Sequence, residues 1–288
     1  MELSESFGYA QRQRLQYIES VAYWEGMVDR PRVSHAFELS ENHITKDFTA
    51  YRTAFPDNLA YDPSARAYRP GRDFEPKIAT GSGEEYLAML RAFHESKSAT
   101  LLPPIGNGVT TVGLPIPSGT INPKVLREMT RALSQRMGLR ISYQSFSNPE
   151  PSEREVWPHA LVFAGLRWHV RAYDGLREDF VDLVLLRILD AKPLNRTSTV
   201  PVQNDVNWNA IETVEIRTQP DLSDTQKMIV AAEYGMHKEK KIGWVCRCEV
   251  RRSLVGYLLI ALRLDDRSES HPHICLADPA LATRFKFL

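Results

Sequence analysis

The sequence predicts an α+β chain of several domains, and three changes of pattern predict it. Residues 33–48 carry helix-turn-helix spacing, residues 139–188 break into short strand-like runs, and the last third mixes helix and strand. A length of 288 residues suits two or three domains, and 43% apolar with 25% charged residues is ordinary for a globular protein.

Residues 9–24 read as a first helix, with Leu15, Ile18, Val21 and Ala22 on one face. Val28 is expected to form a short strand. In the helix pair that follows, Val33, Phe37, Leu39, Ile44 and Phe48 are apolar, Ser34 permits a close crossing, and Ser40 is an N-cap for the second helix. Glu38 stands where such turns usually carry glycine, so either a strained left-handed residue or another turn geometry is expected. Tyr51 and Phe55 extend the second helix until Pro56 ends it. Residues 59–61 and 67–68 flank the turn Asp62-Pro63-Ser64, which makes a hairpin, the wing, with Arg66 near its tip.

A charged helix over 83–96 follows, with Tyr86, Leu87, Leu90 and Phe93 as its stripe. Residues 101–123 hold five prolines and four glycines and are expected to run as an extended linker, with a turn at Gly106-Asn107-Gly108. Val125, Leu126, Met129 and Leu133 mark a helix that stops near Gly138. Strand-like runs at 139–146, 160–163, 167–173 and 180–188 then suggest a small β-barrel. In the last third, strands are expected at 213–217, 244–250 and 274–276, and helices at 224–234 and 254–264. The expected divisions are 1–98, 99–123, 124–200 and 201–288.

Residues 1–20 contain Glu2, Glu5, Arg12 and Arg14 and lack an apolar core, so no secretory signal is expected. The longest apolar run, 258–262, is too short for a bilayer. Three cysteines make no disulfide framework, so a cytoplasmic setting is expected.

The outer side of the second helix offers side chains that can bond base edges or phosphates, namely Asn42, His43, Thr45, Lys46, Thr49 and Arg52. With the cap Ser40 and the wing residue Arg66, these form the expected DNA-reading surface. Charge opposes this reading at first sight, because net charge is zero and residues 1–72 hold nine Lys or Arg against ten Asp or Glu. Distribution favours it: Glu2, Glu5, Glu19 and Glu25 lie on or before the first helix, whereas Arg66, Arg69 and Arg72 face Asp62 alone around the wing. The bland alternative is a helical subdomain without a DNA role.

Alternation splits the 167–173 strand into two faces. Trp168, Val170 and Ala172 are expected in the barrel core; His169, Arg171 and Tyr173 share the polar face, as Tyr143 and Ser145 share theirs. Arginine, histidine, tyrosine and serine around one concavity would suit a phosphate-bearing ligand with a base to stack. The alternative is solvated strand faces and one barrel salt bridge.

Three stretches together resemble one family. The winged N-terminus precedes the run from Gly165, Leu166, Arg167, Trp168, His169 and Val170 to Asp174, which is similar to the signature of the WYL domain, an Sm-like β-barrel of bacterial transcription regulators. Ile141-Ser142-Tyr143-Gln144-Ser145 and Trp157-Pro158-His159-Ala160-Leu161 fit the same domain, while Trp168-His169-Val170 stands in place of the naming triplet. Residues 226–236 and 257–265 resemble the C-terminal α/β extension that dimerises these proteins. The layout is most similar to the WYL regulators attached to phage-defence islands of the BREX and CBASS type.

The resemblance implies a homodimer on an inverted-repeat operator of double-stranded DNA, with repression preferred to activation. It also implies a nucleotide or nucleic-acid fragment as effector, held by Tyr143, Ser145, His159, Trp168, His169, Arg171, Tyr173 and Arg187. His169 departs from the family tyrosine. Two other functions share much of this pattern: a nucleotide- or RNA-sensing adaptor that docks a partner protein through its winged fold, and an activator responding to DNA damage.

Cys246 and Cys248 share a strand face, as do His271, His273 and Cys275, but paired cysteines inside an alternating strand are poor zinc ligands, so no metal is assigned. Gly81-Ser82-Gly83 is a loop without the strand-to-helix setting of a phosphate loop. No catalytic constellation, cofactor site or membrane partner is expected.

Overall fold

The computed structural model describes residues 7–96, 105–106, 109–265 and 271–285. Within the expected linker, residues 99–104 and 107–108 lie outside the described residues, and so do Glu2 and Glu5. The chain divides into two compact units, Met1–Ile116 and Pro117–Leu288.

In the first unit, α1 (Tyr9–Glu25), α2 (Arg30–Phe37) and α3 (Glu41–Ala54) are followed by β1 (Leu59–Asp62), β2 (Ala67–Pro70) and α4 (Gly83–Ser96). The Asp29 carboxylate accepts the Arg32 N–H to start α2, and the Ser40 hydroxyl accepts the His43 N–H to start α3. Between them Glu38 takes the left-handed conformation (φ 51°), the strained option, at a cost of about 1–2 kcal/mol. The Ser34 hydroxyl donates to the Leu39 carbonyl across this turn, which gives the small residue a second task. Leu15, Ile18, Val33, Ile44, Phe48 and Tyr51 form the buried centre. Each such side chain contributes about 1.5–3 kcal/mol when removed from water. Val28 makes a single bridge to Tyr68, and Tyr68 stacks on Phe48 at 4.1 Å, so the wing is anchored to the helices.

The second unit contains two separate apolar cores. Around the first, α5 (Pro123–Gln135) packs on β3 (Met137–Tyr143), β4 (Ser152–Ala164) and β7 (Ile188–Thr197), and β5 (Arg167–Asp174) and β6 (Asp179–Val184) complete the sheet. α5 ends at Arg136 (φ 55°), two residues before the expected stop. Gly138 serves packing instead, since a Cβ there would lie 2.5 Å from Trp157 Nε1. The ladder order is β6-β5-β4-β3-β7, antiparallel throughout. The single run expected at 180–188 is two strands, split by a one-turn 3-10 helix, Leu185–Arg187. Those two strands occupy opposite edges of the sheet. In a flat sheet the edges would stand about 19 Å apart, four strand spacings. Three 3-10 residues advance only about 6 Å, so the sheet curls until its edges approach, as a small barrel requires.

The second core lies under the sheet of β8 (Ile211–Thr218), β9 (His237–Glu239), β10 (Gly243–Arg251) and β11 (Ile274–Leu276), ordered β11-β8-β10-β9. α6 (Val206–Asn209) precedes this sheet; α7 (Asp224–Glu233), α8 (Val255–Ala261) and α9 (Ala280–Arg284) accompany it. Ser223 and Gln226 form a reciprocal capping box on α7. The short elements β9, α6 and α9 carry too few residues for a period to show.

Candidate DNA interface and effector site

On α3, Ile44, Asp47, Phe48 and Tyr51 are buried, and Asn42, His43, Thr45, Lys46, Thr49 and Arg52 are exposed, as 3.6-residue periodicity requires. The Thr45 and Thr49 hydroxyls donate to the carbonyls of Glu41 and Thr45, each at 2.8 Å, so their oxygens remain available as acceptors. Arg66 occupies the left-handed position at the wing tip, exposed and without an ion-pair partner among the described residues. Lys46 is likewise exposed and unpaired among the described residues. The Asp62 carboxylate is engaged within the wing turn: it accepts the Ser64 hydroxyl, Arg69 Nε and the Ser64 and Ala65 N–H groups, which hold it well below the usual carboxylate range.

Two ion pairs missed in the sequence place this surface. Arg14 of α1 donates from Nε (2.6 Å) and Nη2 (3.1 Å) to the buried Asp47 carboxylate of α3. Its Nη2 also lies 3.1 Å from His43 Nε2; a guanidinium only donates, so that ring nitrogen accepts. Glu25 is bound by both prongs of Arg32, and the buried Glu19 accepts N–H groups from Lys77, Ile78 and Ala79 and the Tyr51 hydroxyl. Glu19, Glu25 and Asp47 are therefore internal, and so are Arg14 and Arg32, the bases that pair with two of them, so the exposed balance moves by one unit toward basic. The exposed charge around α3 and the wing is more basic than the count along the chain.

In the second unit the eight expected effector residues fall into different surroundings. Arg171 is only 5% exposed. Its Nε and Nη2 each donate at 2.8 Å to the Asp205 carboxylate, and Nη1 reaches Asp182 at 3.4 Å. His159 Nε2 lies 3.0 Å from the same Asp205 oxygen that Nε grips. Asp205 also caps α6 through the Trp208 N–H. Burial by itself would raise the Asp205 carboxyl, yet Arg171 foremost holds it below its ordinary value; half-buried Asp182 is raised by desolvation, which outweighs the lowering contacts of Arg171 and Tyr257. Burial lowers both His159 and His169, and for His169 the nearby Arg167 and Arg187 add to the effect. His169 packs its ring 4.8 Å from Tyr257 of α8 and leaves Nδ1 without a hydrogen-bond partner among the described residues.

Thus the polar strand face, expected to be an open concavity, is covered around His169 and Arg171 by the segment bearing Asp205 and by α8. Tyr143 belongs to the barrel core, where its hydroxyl accepts the Val184 N–H and its ring meets Arg154. Trp168, expected in that core, is 44% exposed beside Phe163, because it lies at the end of β5 beyond the core cluster. Ser145 bonds the Asn148 N–H, and Arg187 lies over the exposed Phe146 ring. Of the eight, His159 and Tyr173 alone line a cavity of about 510 Å³, together with Trp157, Phe180 and Trp208.

The aim of His159 has a backbone cause. Pro158 pairs with Ala172 and Ala160 with Arg171, so His159 is the extra residue of a bulge in β4. Proline inside a central strand is the sequence signal for such a bulge. Asp205 carried no signal, as an aspartate in a loop is commonplace.

Of the cysteine and histidine positions, Cys246 and Cys248 lie against the second core, while His271 Nδ1 accepts the N–H groups of His273 and Ile274. No group of three His, Cys, Asp or Glu converges as a metal site among the described residues. No helix among the described residues is long and apolar enough to cross a membrane.

Three families match along the chain. Residues 10–92 match the BrxR transcriptional regulator winged helix-turn-helix domain, 124–193 the WYL domain, and 211–281 the BrxR transcriptional regulator C-terminal dimerization domain. In sequence order the chain thus carries a BrxR-type winged helix-turn-helix domain, a WYL domain and a BrxR-type C-terminal dimerization domain. Similar proteins include the DNA-binding transcriptional repressor CapW of Escherichia coli strain KTE188, 29% identical over 263 residues, 91% of this chain and 86% of that one. CapW of Pseudomonas aeruginosa is 29% identical over 267 residues, 92% and 87% of the two chains. CapW of Stenotrophomonas maltophilia is 29% identical over 257 residues, 89% and 84%. The solved proteasome accessory factor B/C of Arthrobacter aurescens is 16% identical with a TM-score of 0.30; the match covers 96% of this regulator and 46% of that chain.

Proposed function

We propose that this regulator is a homodimeric, sequence-specific repressor of a phage-defence operon. Its C-terminal domain joins two copies, so two α3 helices meet double-stranded DNA about a two-fold axis. Half-sites then lie about 34–36 Å apart, or a multiple of this, in an imperfect inverted repeat. Asn42, His43 and Thr45 read base edges; Ser40, Lys46, Thr49, Arg52 and Arg66 hold phosphates. The observation that carries this reading is the polar outer side of α3, exposed along its length while Arg14 and Asp47 fasten its inner side.

Repression is relieved by a nucleotide or nucleic-acid fragment bound to the WYL domain. Tyr143, Ser145, His159, Trp168, His169, Arg171, Tyr173 and Arg187 are the residues through which it acts. Those that are buried act by exchanging internal partners: a ligand that prefers the arrangement without the Arg171–Asp205 pair shifts the population toward it.

The deciding experiment is a mobility shift with the regulator's own upstream region, alongside sizing of the free protein. A symmetric complex of two copies on one inverted repeat is expected. A single subunit that ignores that region at low salt would overturn the proposal.

A further inference from the structure

The cavity beside His159 has a wall of unusual composition. Trp157, Tyr173, Phe180 and Trp208 supply four aromatic rings, and Pro158 and Pro201 extend the apolar surface. About 510 Å³ is within the range of pockets that enclose one small molecule.

The rings are fixed from behind. Tyr173 and Phe180 meet edge to face at 5.3 Å, and His159 meets Phe180 at 5.8 Å and Trp208 at 5.2 Å. Arg251 lies 4.3 Å from the Trp208 ring centroid and donates to the Trp208 carbonyl at 2.6 Å; Arg196 lies 5.5 Å from that of Trp157. Neither arginine lines the cavity, so each supports its indole from outside. A preorganised aromatic wall of this kind holds a planar π-system with little entropy lost on binding.

Charge narrows the class. Among the described residues no carboxylate lines the cavity, and the one lining cation is Arg136. Arg136 is exposed at the left-handed C-cap of α5 and has no ion-pair partner among the described residues. The absence of a lining acid disfavours a cationic guest, and one guanidinium matches one anionic group and not a chain of phosphates.

We infer that this cavity binds a planar heteroaromatic ring carrying a single anionic group, at the scale of a nucleoside 5′-monophosphate. The ring lies among Trp157, Tyr173, Phe180 and Trp208, and the anion faces Arg136. The regulatory consequence rests on the effector reading above, since His159 of the wall shares Asp205 with Arg171; the binding itself does not.

Isothermal titration of the full-length protein with adenosine 5′-monophosphate, adenosine and inorganic phosphate tests the inference. The monophosphate is expected to bind, adenosine about tenfold more weakly, and phosphate alone not measurably. Arg136→Gln removes most of the preference for the monophosphate over adenosine. Val200→Trp, which fills the cavity, abolishes binding of both with the thermal transition retained; if that variant does not fold, the exposed Arg136→Gln still decides. The inference is overturned if none of the common nucleoside monophosphates binds at millimolar concentration. It is also overturned if a folded Val200→Trp binds as the parent does, or if Arg136→Gln keeps the full preference. Operator affinity measured in the same samples separates the two readings: binding in the cavity with operator affinity unchanged sinks its effector role and leaves the binding intact.

Discussion

Arg171 of β5 and Asp205 ahead of α6 close on each other through two parallel hydrogen bonds of 2.8 Å, joining the barrel to the segment that leads into the C-terminal sheet. Thirty-four positions separate them in the sequence, and both are buried. The guanidinium that resembled a waiting phosphate fork already has a carboxylate in it. Any effector that acts through Arg171 competes with Asp205, and such a contest can couple a ligand to the placement of the 202–209 segment.

Breaking this pair from one side is expected to be severe. Arg171→Ala leaves the buried Asp205 carboxylate without its cation, held only by His159 and the Trp208 N–H, a destabilisation of about 3–5 kcal/mol. Urea unfolding of the two proteins checks this; a midpoint equal to the parent's would show that the carboxylate finds water or another partner. If Arg171→Ala remains folded, it is expected to hold its operator in the presence of inducer.

The Arg14–Asp47 pair is expected to matter for both stability and DNA binding. Asp47→Ala strands a buried guanidinium at about the same cost and loosens α3 against α1. Operator affinity should fall at temperatures where circular dichroism still reports a folded chain. Full affinity in a folded Asp47→Ala protein would mean that the apolar contacts of Ile44, Phe48 and Tyr51 suffice to aim the helix.

Base-reading and phosphate-holding residues should separate in mobility shifts. Asn42→Ala or Thr45→Ala is expected to reduce discrimination between operator and random duplex by about 1–3 kcal/mol. Arg66→Ala should weaken both duplexes alike and lower the log–log salt slope by about one. Equal losses on both duplexes for the α3 variants would remove their base-reading role.

Acid should destabilise the second unit through His159 and His169. Burial lowers both below their ordinary value of 6.5, so the unfolded chain binds protons that the folded chain refuses. Their contribution is complete above pH 6.5 and declines as pH falls through that value toward the lower folded ones. Thermal melts between pH 7.5 and 5 are expected to show a decline that His169→Gln reduces. A decline of the same size in His169→Gln would assign it to other groups.

Glu19→Gln offers a test of the loop that crosses α1. The carboxylate accepts three consecutive backbone N–H groups, and an amide would turn its own NH₂ toward one of those donors. A loss of about 1–3 kcal/mol is expected, read as a lower melting temperature. An unchanged melt would indicate that the 77–79 loop rearranges freely.

The sequence by itself determined the parts whose causes are local. Ser40 caps α3 because its hydroxyl is three residues from the N–H it satisfies, Pro56 follows the end of that helix because it has no N–H to give, and the apolar stripes of α1, α3 and α5 follow from a 3.6-residue repeat. The exposed polar side of α3 was legible for the same reason. Tertiary structure alone decided which charges meet. Arg14 with Asp47, Arg171 with Asp205 and Glu19 with the 77–79 loop depend on how distant elements stack, and no window of sequence encodes the partner of a buried ion. That is why the polar face of β5 read as an open site. Its alternation was correct, but the coverage comes from Asp205 and Tyr257, and a buried arginine stays only where such a partner neutralises it.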